Sequence, residues 1–254
     1  AGEVYMEGSS ANTYAGATSF GAVGGPTGNS FGLLGDDADA WWLGVSGDVT
    51  MMDPIVLMYD FNYGKLEGDD AETSGWIADI GVQYKMDMMT PELYFTYGSG
   101  DDESHLSKST PEGGRMPVYF TESYAQTALA HAGCCVAGPV ADGQFSYHQA
   151  GIWSLGFALR NISFSDKLKA EAVLAYTEGT NDKEVAAFYS SPFNNQLTEE
   201  DSAVELGGEV QYYLYENLRA VAEAGFIALD MDKDVWGTDY EDITRVALSL
   251  DYSW

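Results

Sequence analysis

Apolar and polar residues alternate with a period of two through most of this chain, in segments about ten residues long, as expected of β-strands that present two different faces. In 40–51, AWWLGVSGDVTM, the residues Trp41, Leu43, Val45, Val49 and Met51 fall on one side, and Gly44, Ser46 and Asp48 on the other. The pattern recurs in 55–64, with Ile55, Leu57, Tyr59, Phe61 and Tyr63 against Asp60 and Asn62. It recurs again in 75–86, with Trp76, Ala78, Ile80, Val82 and Tyr84 against Asp79, Gln83 and Lys85. Similar alternation predicts strands over 91–98, 152–163, 168–177, 203–214, 218–229 and 243–254. A shorter run at 3–8 is the start or remnant of another, giving nine clear strands and one incomplete one.

The connections alternate as well. Short links at 52–54, 87–90, 164–167 and 215–217 interleave with long ones at 9–39, 67–74, 99–151, 178–202 and 230–242. Tight turns at one end and long loops at the other are the signature of an up-and-down barrel of outer-membrane type, with periplasmic turns and extracellular loops. A soluble sandwich gives no reason for that regularity.

Alternation alone does not say which face points inward, since a soluble barrel would put its apolar residues inside. Two features favour apolar-out. Aromatic residues gather at the ends of the apolar face: Trp41, Tyr63, Trp76, Tyr84, Tyr97, Trp153, Tyr176, Tyr212, Tyr252 and Trp254. Such rings suit the two headgroup levels of a bilayer. The polar face carries Asp48, Asp60, Asp79, Glu92, Glu171, Glu205, Glu209, Glu223 and Asp251 against Lys85, Arg160, Lys169, Arg219 and Arg245. Those charges suit a wet, pore-lining surface better than a dry core, where unpaired charge is prohibitive.

Composition narrows the partners. With 11 Lys+Arg against 40 Asp+Glu the formal net charge is −29, which argues against nucleic acid and favours cations. No run of 18 apolar residues occurs, so no membrane helix is expected. The chain begins at Ala1 without a targeting segment, so either such a segment was removed or an N-terminal part lies outside this sequence.

Candidate chemistry is sparse. Cys134 and Cys135 are adjacent, a spacing that rarely pairs, and no second pair completes a metal set. His105, His131 and His148 all fall in the longest loop, with no Asp-x-His and no nucleophile–base–orienter set, so no enzyme is expected. Acidic clusters at loop tips, including Asp36, Asp37, Asp39, Asp69, Asp70, Asp101, Asp102, Glu199, Glu200 and Asp201, are either solvated tips or Ca²⁺ sites.

The terminal segment RVALSLDYSW, with its aromatic last residue, resembles the C-terminal signal of outer-membrane barrels. The blocks GWIADIGVQYKMDMMTPELYFTYGSGDD and SLGFALRNISFSDKLKAEAVLAYTEGTND resemble strand–turn–strand units of Gram-negative porins, including alginate-export-like porins. The resemblance spans about 40–254 and is specific for architecture rather than substrate. It implies a passive channel, usually a homotrimer, with one long loop folded inward; the candidate is 99–151. Porins of this kind have about 16 strands. Here about ten are visible, so the chain is either a small barrel or part of a larger one.

The reading is therefore an all-β transmembrane antiparallel barrel, a single domain over 1–254, in the outer membrane of a Gram-negative bacterium. It would act as a cation-preferring diffusion channel among lipid and lipopolysaccharide, with no cofactor unless Ca²⁺ at the loops. Two other functions fit the same pattern: a non-conducting barrel serving as an anchor or adhesin, and a dedicated channel for an ionic solute or polymer.

Overall fold

A computed structural model describes residues 2–7, 37–68, 72–102, 112–116, 151–188 and 197–253. Nine long strands form one antiparallel sheet in sequence order: β2 (Asp37–Met52), β3 (Ile55–Gly68), β4 (Glu72–Tyr84), β5 (Thr90–Gly98), β7 (Ile152–Ser165), β8 (Leu168–Gly179), β9 (Ser202–Tyr215), β10 (Leu218–Asp230) and β11 (Ile243–Tyr252). A six-residue strand, β1 (Gly2–Glu7), pairs with Asp37–Trp42 of β2, and the two-residue β6 (Glu112–Gly113) runs parallel to β4. The expected strands are all present, and most bounds agree to within a residue or two.

The tight links fold as expected. Asp53–Pro54, Asp166–Lys167 and Glu216–Asn217 make two-residue turns, a length that holds antiparallel neighbours in register. Each turn is tied to the hairpin beside it: Lys85 N donates to Pro54 O, Tyr213 N to Lys167 O, and Ser253 N to Asn217 O.

One expectation is corrected. The sheet does not close into a barrel, because among the described residues no ladder joins β1 to β11. The physical reason is length: β1 covers only the first six residues of β2, leaving Leu43–Met52 with no strand on that side. Exposure records the open edge. Val246, Leu248 and Leu250 of β11 are 70–79% exposed, whereas Leu174 and Leu206 on flanked strands are 50% and 58%.

The two faces differ in an unusual direction. The outward face carries Leu43, Val45, Phe61, Ile80, Leu93, Phe157, Leu174, Leu206, Val210 and Phe226, all exposed. The enclosed face buries Glu92, Thr96, Ser154, Thr177, Glu205 and Glu209. This inverts the usual arrangement, in which such carboxylates are almost never fully buried and large apolar groups are.

Aromatic side chains form a belt of three contact groups on the outward face near the long-loop end. Trp41 meets Tyr63 at 5.2 Å, Phe61 meets Trp76 at 6.0 Å, and Trp76 stacks on Tyr97 at 4.5 Å. The belt continues through Phe95–Trp153 at 6.1 Å and Trp153–Tyr176 at 5.3 Å. Cross-strand aromatic contacts of this kind add to sheet stability beyond the area they cover.

Inside, packing is close where glycine faces an aromatic ring. Tyr94 is directly opposite Gly156 and packs with Ala158, Val173 and Ala175. A Cβ on Gly156 would overlap the tip of the Tyr94 ring, which has no room to swing. Gly156→Ala is therefore expected to cost about 1–3 kcal/mol as overpacking, read as a lowered thermal midpoint. An unchanged midpoint would mean that Tyr94 is free to move.

Candidate functional site: the acid-rich enclosed face

The enclosed face brings together twelve of the fourteen residues expected to line a pore. Asp60, Asp79, Glu92, Glu171, Glu205, Glu209, Glu223 and Asp251 share it with Arg160, Lys169, Arg219 and Arg245. The other two sit apart. Asp48 has the right parity but is exposed on the stretch of β2 that β1 does not reach. Lys85 lies past the end of β4, exposed in the turn, where its N–H donates to Pro54 O.

Register sets carboxylates against one another. Asp60 is directly opposite Asp79, Glu171 is opposite Glu209, and Glu209 is opposite Glu223. Like charges facing across a ladder destabilise a sheet, so nearby cations matter. Arg160 lies 3.4 Å from Glu92 and 3.5 Å from Glu171, while Gln83 donates to Glu92 at 2.7 Å. The register shift between Leu159 and Ile162, with Asn161 at φ 54°, sits beside that arginine. A bulge there re-aims side chains, and asparagine tolerates the left-handed backbone.

Toward the short-turn end, Arg219 binds Asp251 at 2.9 Å and donates to Gln211 at 2.9 Å. Gln211 donates in turn to Glu209, Tyr213 O–H donates to Gln211 at 3.2 Å, and Ser249 donates to Asp251 at 3.2 Å. Arg245 lies 3.9 Å from Glu223, and Lys169 stands 5.4 Å from the centre of the Tyr213 ring. The face is thus a connected polar network carrying more acid than base. Arg160, Lys169 and Arg219 lie in the halves of their strands nearer the short turns, whereas Arg245 and Glu205 lie nearer the long-loop ends of theirs.

At the long-loop end a second polar assembly joins the loops to the sheet. Asn181 accepts from Asp101 N at 3.0 Å and donates to Gly151 O at 3.2 Å and Leu197 O at 2.6 Å. Asp201 accepts from Thr198 N at 2.8 Å, Thr198 Oγ1 at 2.7 Å, Asp232 N at 2.9 Å and Trp236 Nε1 at 2.9 Å. Asp232 caps a short helix, α1 (Lys233–Trp236), whose Trp236 reaches back to Asp201. The exposed pair Lys183–Glu200 at 3.1 Å raises the lysine's pKa through its hydrogen bond, yet such surface pairs add little stability.

These contacts correct part of the loop reading. Asp101 and Asp201 belonged to clusters read as solvated tips or ion ligands, but both are buried, and Asp101 accepts from Gly114 N at 2.9 Å. Asp39 and Asp102 are exposed, and the Asp37 side chain lies outside the described part of the structure. Asp36, Asp69 and Asp70 lie outside the described residues, as do Cys134, Cys135, His105, His131 and His148. Among the described residues no three His, Cys, Asp or Glu side chains are grouped so as to hold a metal ion.

Within the long segment 99–151, the described stretch 112–116 lies against the enclosed face. Arg115 O accepts from Thr73 Oγ1 at 2.7 Å, and Met116 packs on Ile77. Gly75 is required there, because a Cβ would overlap Ser99 Oγ, Gly114 O and Met116 N. Sequence reasoning missed Tyr94, Asn181 and Trp236 and named Thr96 only as a polar-face residue; parity puts Tyr94 and Thr96 on the face of Glu92, but the roles of all four depend on partners from distant strands. No family model matches the chain, and no curated protein matches it either.

Proposed function

We propose that this protein is a β-sheet membrane protein of a Gram-negative outer membrane, whose polar face borders a narrow, cation-preferring passage. The inverted polarity of the sheet carries the reading. Exposed leucine, valine and phenylalanine over nine strands suit hydrocarbon, and the aromatic belt suits a headgroup level. The long loops would then face outward among lipopolysaccharide, with the short turns in the periplasm. Closure of the open edge, by oligomer partners or by further chain, belongs to the same proposal, because an unpaired strand edge is not tolerated in lipid.

Cation preference follows from the acid excess of the enclosed face: a lining of fixed carboxylates raises the local cation concentration and disfavours anions. Planar-bilayer recordings in a salt gradient should give a reversal potential of cation-selective sign. Glu205→Gln with Glu209→Gln should move that potential toward zero. An anion-selective wild type would refute the preference.

A non-conducting anchor is the second reading, and a specific observation favours it. Glu92, Tyr94, Ser154, Thr177 and Glu205 are each no more than 2% exposed, so side chains fill the space around them on the enclosed face. A sheet of about eight to ten strands encloses little more than its own side chains. Folded protein that inserts but passes no current would decide for the anchor.

A further inference from the structure

One row of the enclosed face is polar across five strands: Asp60, Asp79, Thr96, Ser154 and Thr177 are consecutive partners in register. Apolar layers bound it, with Ile77 and Met116 on the long-loop side and Tyr94, Met58 and Ala175 on the other. Ser154 Oγ and Thr177 Oγ1 satisfy each other at 2.6 Å, and Asn62 Nδ2 donates to Asp60 Oδ1 at 2.6 Å. Thr96 is different. It is 1% exposed, its Oγ1 has no hydrogen-bond partner among the described residues, and its register partners on the same face are Asp79 of β4 and Ser154 of β7.

A buried hydroxyl left without a partner costs about 1–3 kcal/mol, so it calls for a ligand. Two directly opposed carboxylates beside it call for positive charge. We infer that Asp60, Asp79 and Thr96 form an internal cation site, occupied by a calcium-sized divalent ion. Side chains opposite one another in a ladder have Cβ atoms about 4.5–5.5 Å apart, which lets oxygens from three adjacent strands converge at the roughly 2.3–2.6 Å that calcium requires. Water would complete the shell. The hydroxyl oxygen is a hard ligand and the two carboxylates neutralise the charge, which selects Ca²⁺ over softer metals. With only two charged ligands the affinity belongs to the weak class of such sites, about 0.1–1 mM.

The site deepens the cation-preferring passage proposed above and rests on that reading for its use, as a station along the row, but its occupancy is measurable without any current. The experiment is calorimetric titration of calcium chloride, after chelation, into the folded full chain in detergent micelles at constant ionic strength. Thermal unfolding is followed in parallel. One saturable heat is expected above the diffuse background of the acidic loops, with an unfolding midpoint that rises over the same range. Asp79→Asn and Asp60→Asn should each weaken it about tenfold or more. Thr96→Val, which keeps shape and removes the oxygen, should weaken it while the calcium-free protein melts no lower than wild type. Asp102→Asn in an exposed loop should leave it unchanged.

If calcium gives the same response in wild type and in all three row variants, the binding is loop background and the site does not exist. If wild type shows no saturable heat, water alone serves Thr96, with the same conclusion. Absence of current together with row-dependent calcium binding would refute the passage and leave the site standing.

Discussion

Leu206→Arg is expected to destabilise the protein folded in lipid vesicles by about 2–4 kcal/mol, although Leu206 is already 58% exposed. In a soluble protein the same change at an exposed strand position would stay within about 0.5 kcal/mol, because arginine keeps its water. In a bilayer the guanidinium would sit in hydrocarbon on the outward face of β9, flanked by Leu174 of β8 and Phe226 of β10. Urea titration in vesicles, read by tryptophan fluorescence, gives the difference. The same variant in detergent micelles, which deform around a charge, should lose less. A loss below about 0.5 kcal/mol in vesicles would remove the membrane reading, since that is the size expected of an exposed site in water.

Asp201→Ala is expected to cost at least about 3 kcal/mol and to release two loops together. The carboxylate is fully buried and accepts from four donors: Thr198 N, Thr198 Oγ1, Asp232 N and Trp236 Nε1. Each donor left buried without an acceptor costs about 1–3 kcal/mol, offset where local opening lets water in. That opening is itself the second readout: cleavage by a protease should become faster within both 180–201 and 230–242. Asp201→Asn keeps one acceptor oxygen and should recover part of the loss. A cost below about 1 kcal/mol, typical of ordinary surface changes and small core ones, would show that the assembly does not hold the loops.

Much of the sheet was legible because a strand's two faces repeat every second residue, and that period survives in sequence whatever lies on either side. In β9, Val204, Leu206 and Val210 on one face and Glu205 and Glu209 on the other left no second choice of parity. Hairpin order was legible for a related reason, since two-residue turns such as Glu216–Asn217 admit only antiparallel neighbours. The lining followed from parity alone, so Glu92, Glu171 and Arg160 came out on one face. The failure at Lys85 has the same origin: parity continues past Tyr84, but the strand does not.

The roles of individual polar residues were not legible. Asp101 and Asp102 are neighbours in one acidic run, yet one is buried against Gly114 and the other is exposed. Nothing local separates them, because the partner arrives from 13 residues away. The bulge at Arg160–Asn161 is intermediate. Trp153, Leu155, Phe157 and Leu159 keep odd parity, and Ile162 and Phe164 then keep even parity, so the break in phase is written in the chain. What it accomplishes, an arginine set between Glu92 and Glu171, appears only with β5 and β8 in place.

By itself, then, the sequence determined the strands, their order, and the division of each into an apolar and an acid-rich face, because all three rest on interactions between residues near in the chain. Only the tertiary structure decided which face is enclosed, which carboxylates oppose one another, and that the edge between β1 and β11 stays open. Those outcomes depend on the curl and register of the whole sheet and on the length of β1 beside β2. They arise from contacts between strands far apart in sequence, which no local pattern encodes.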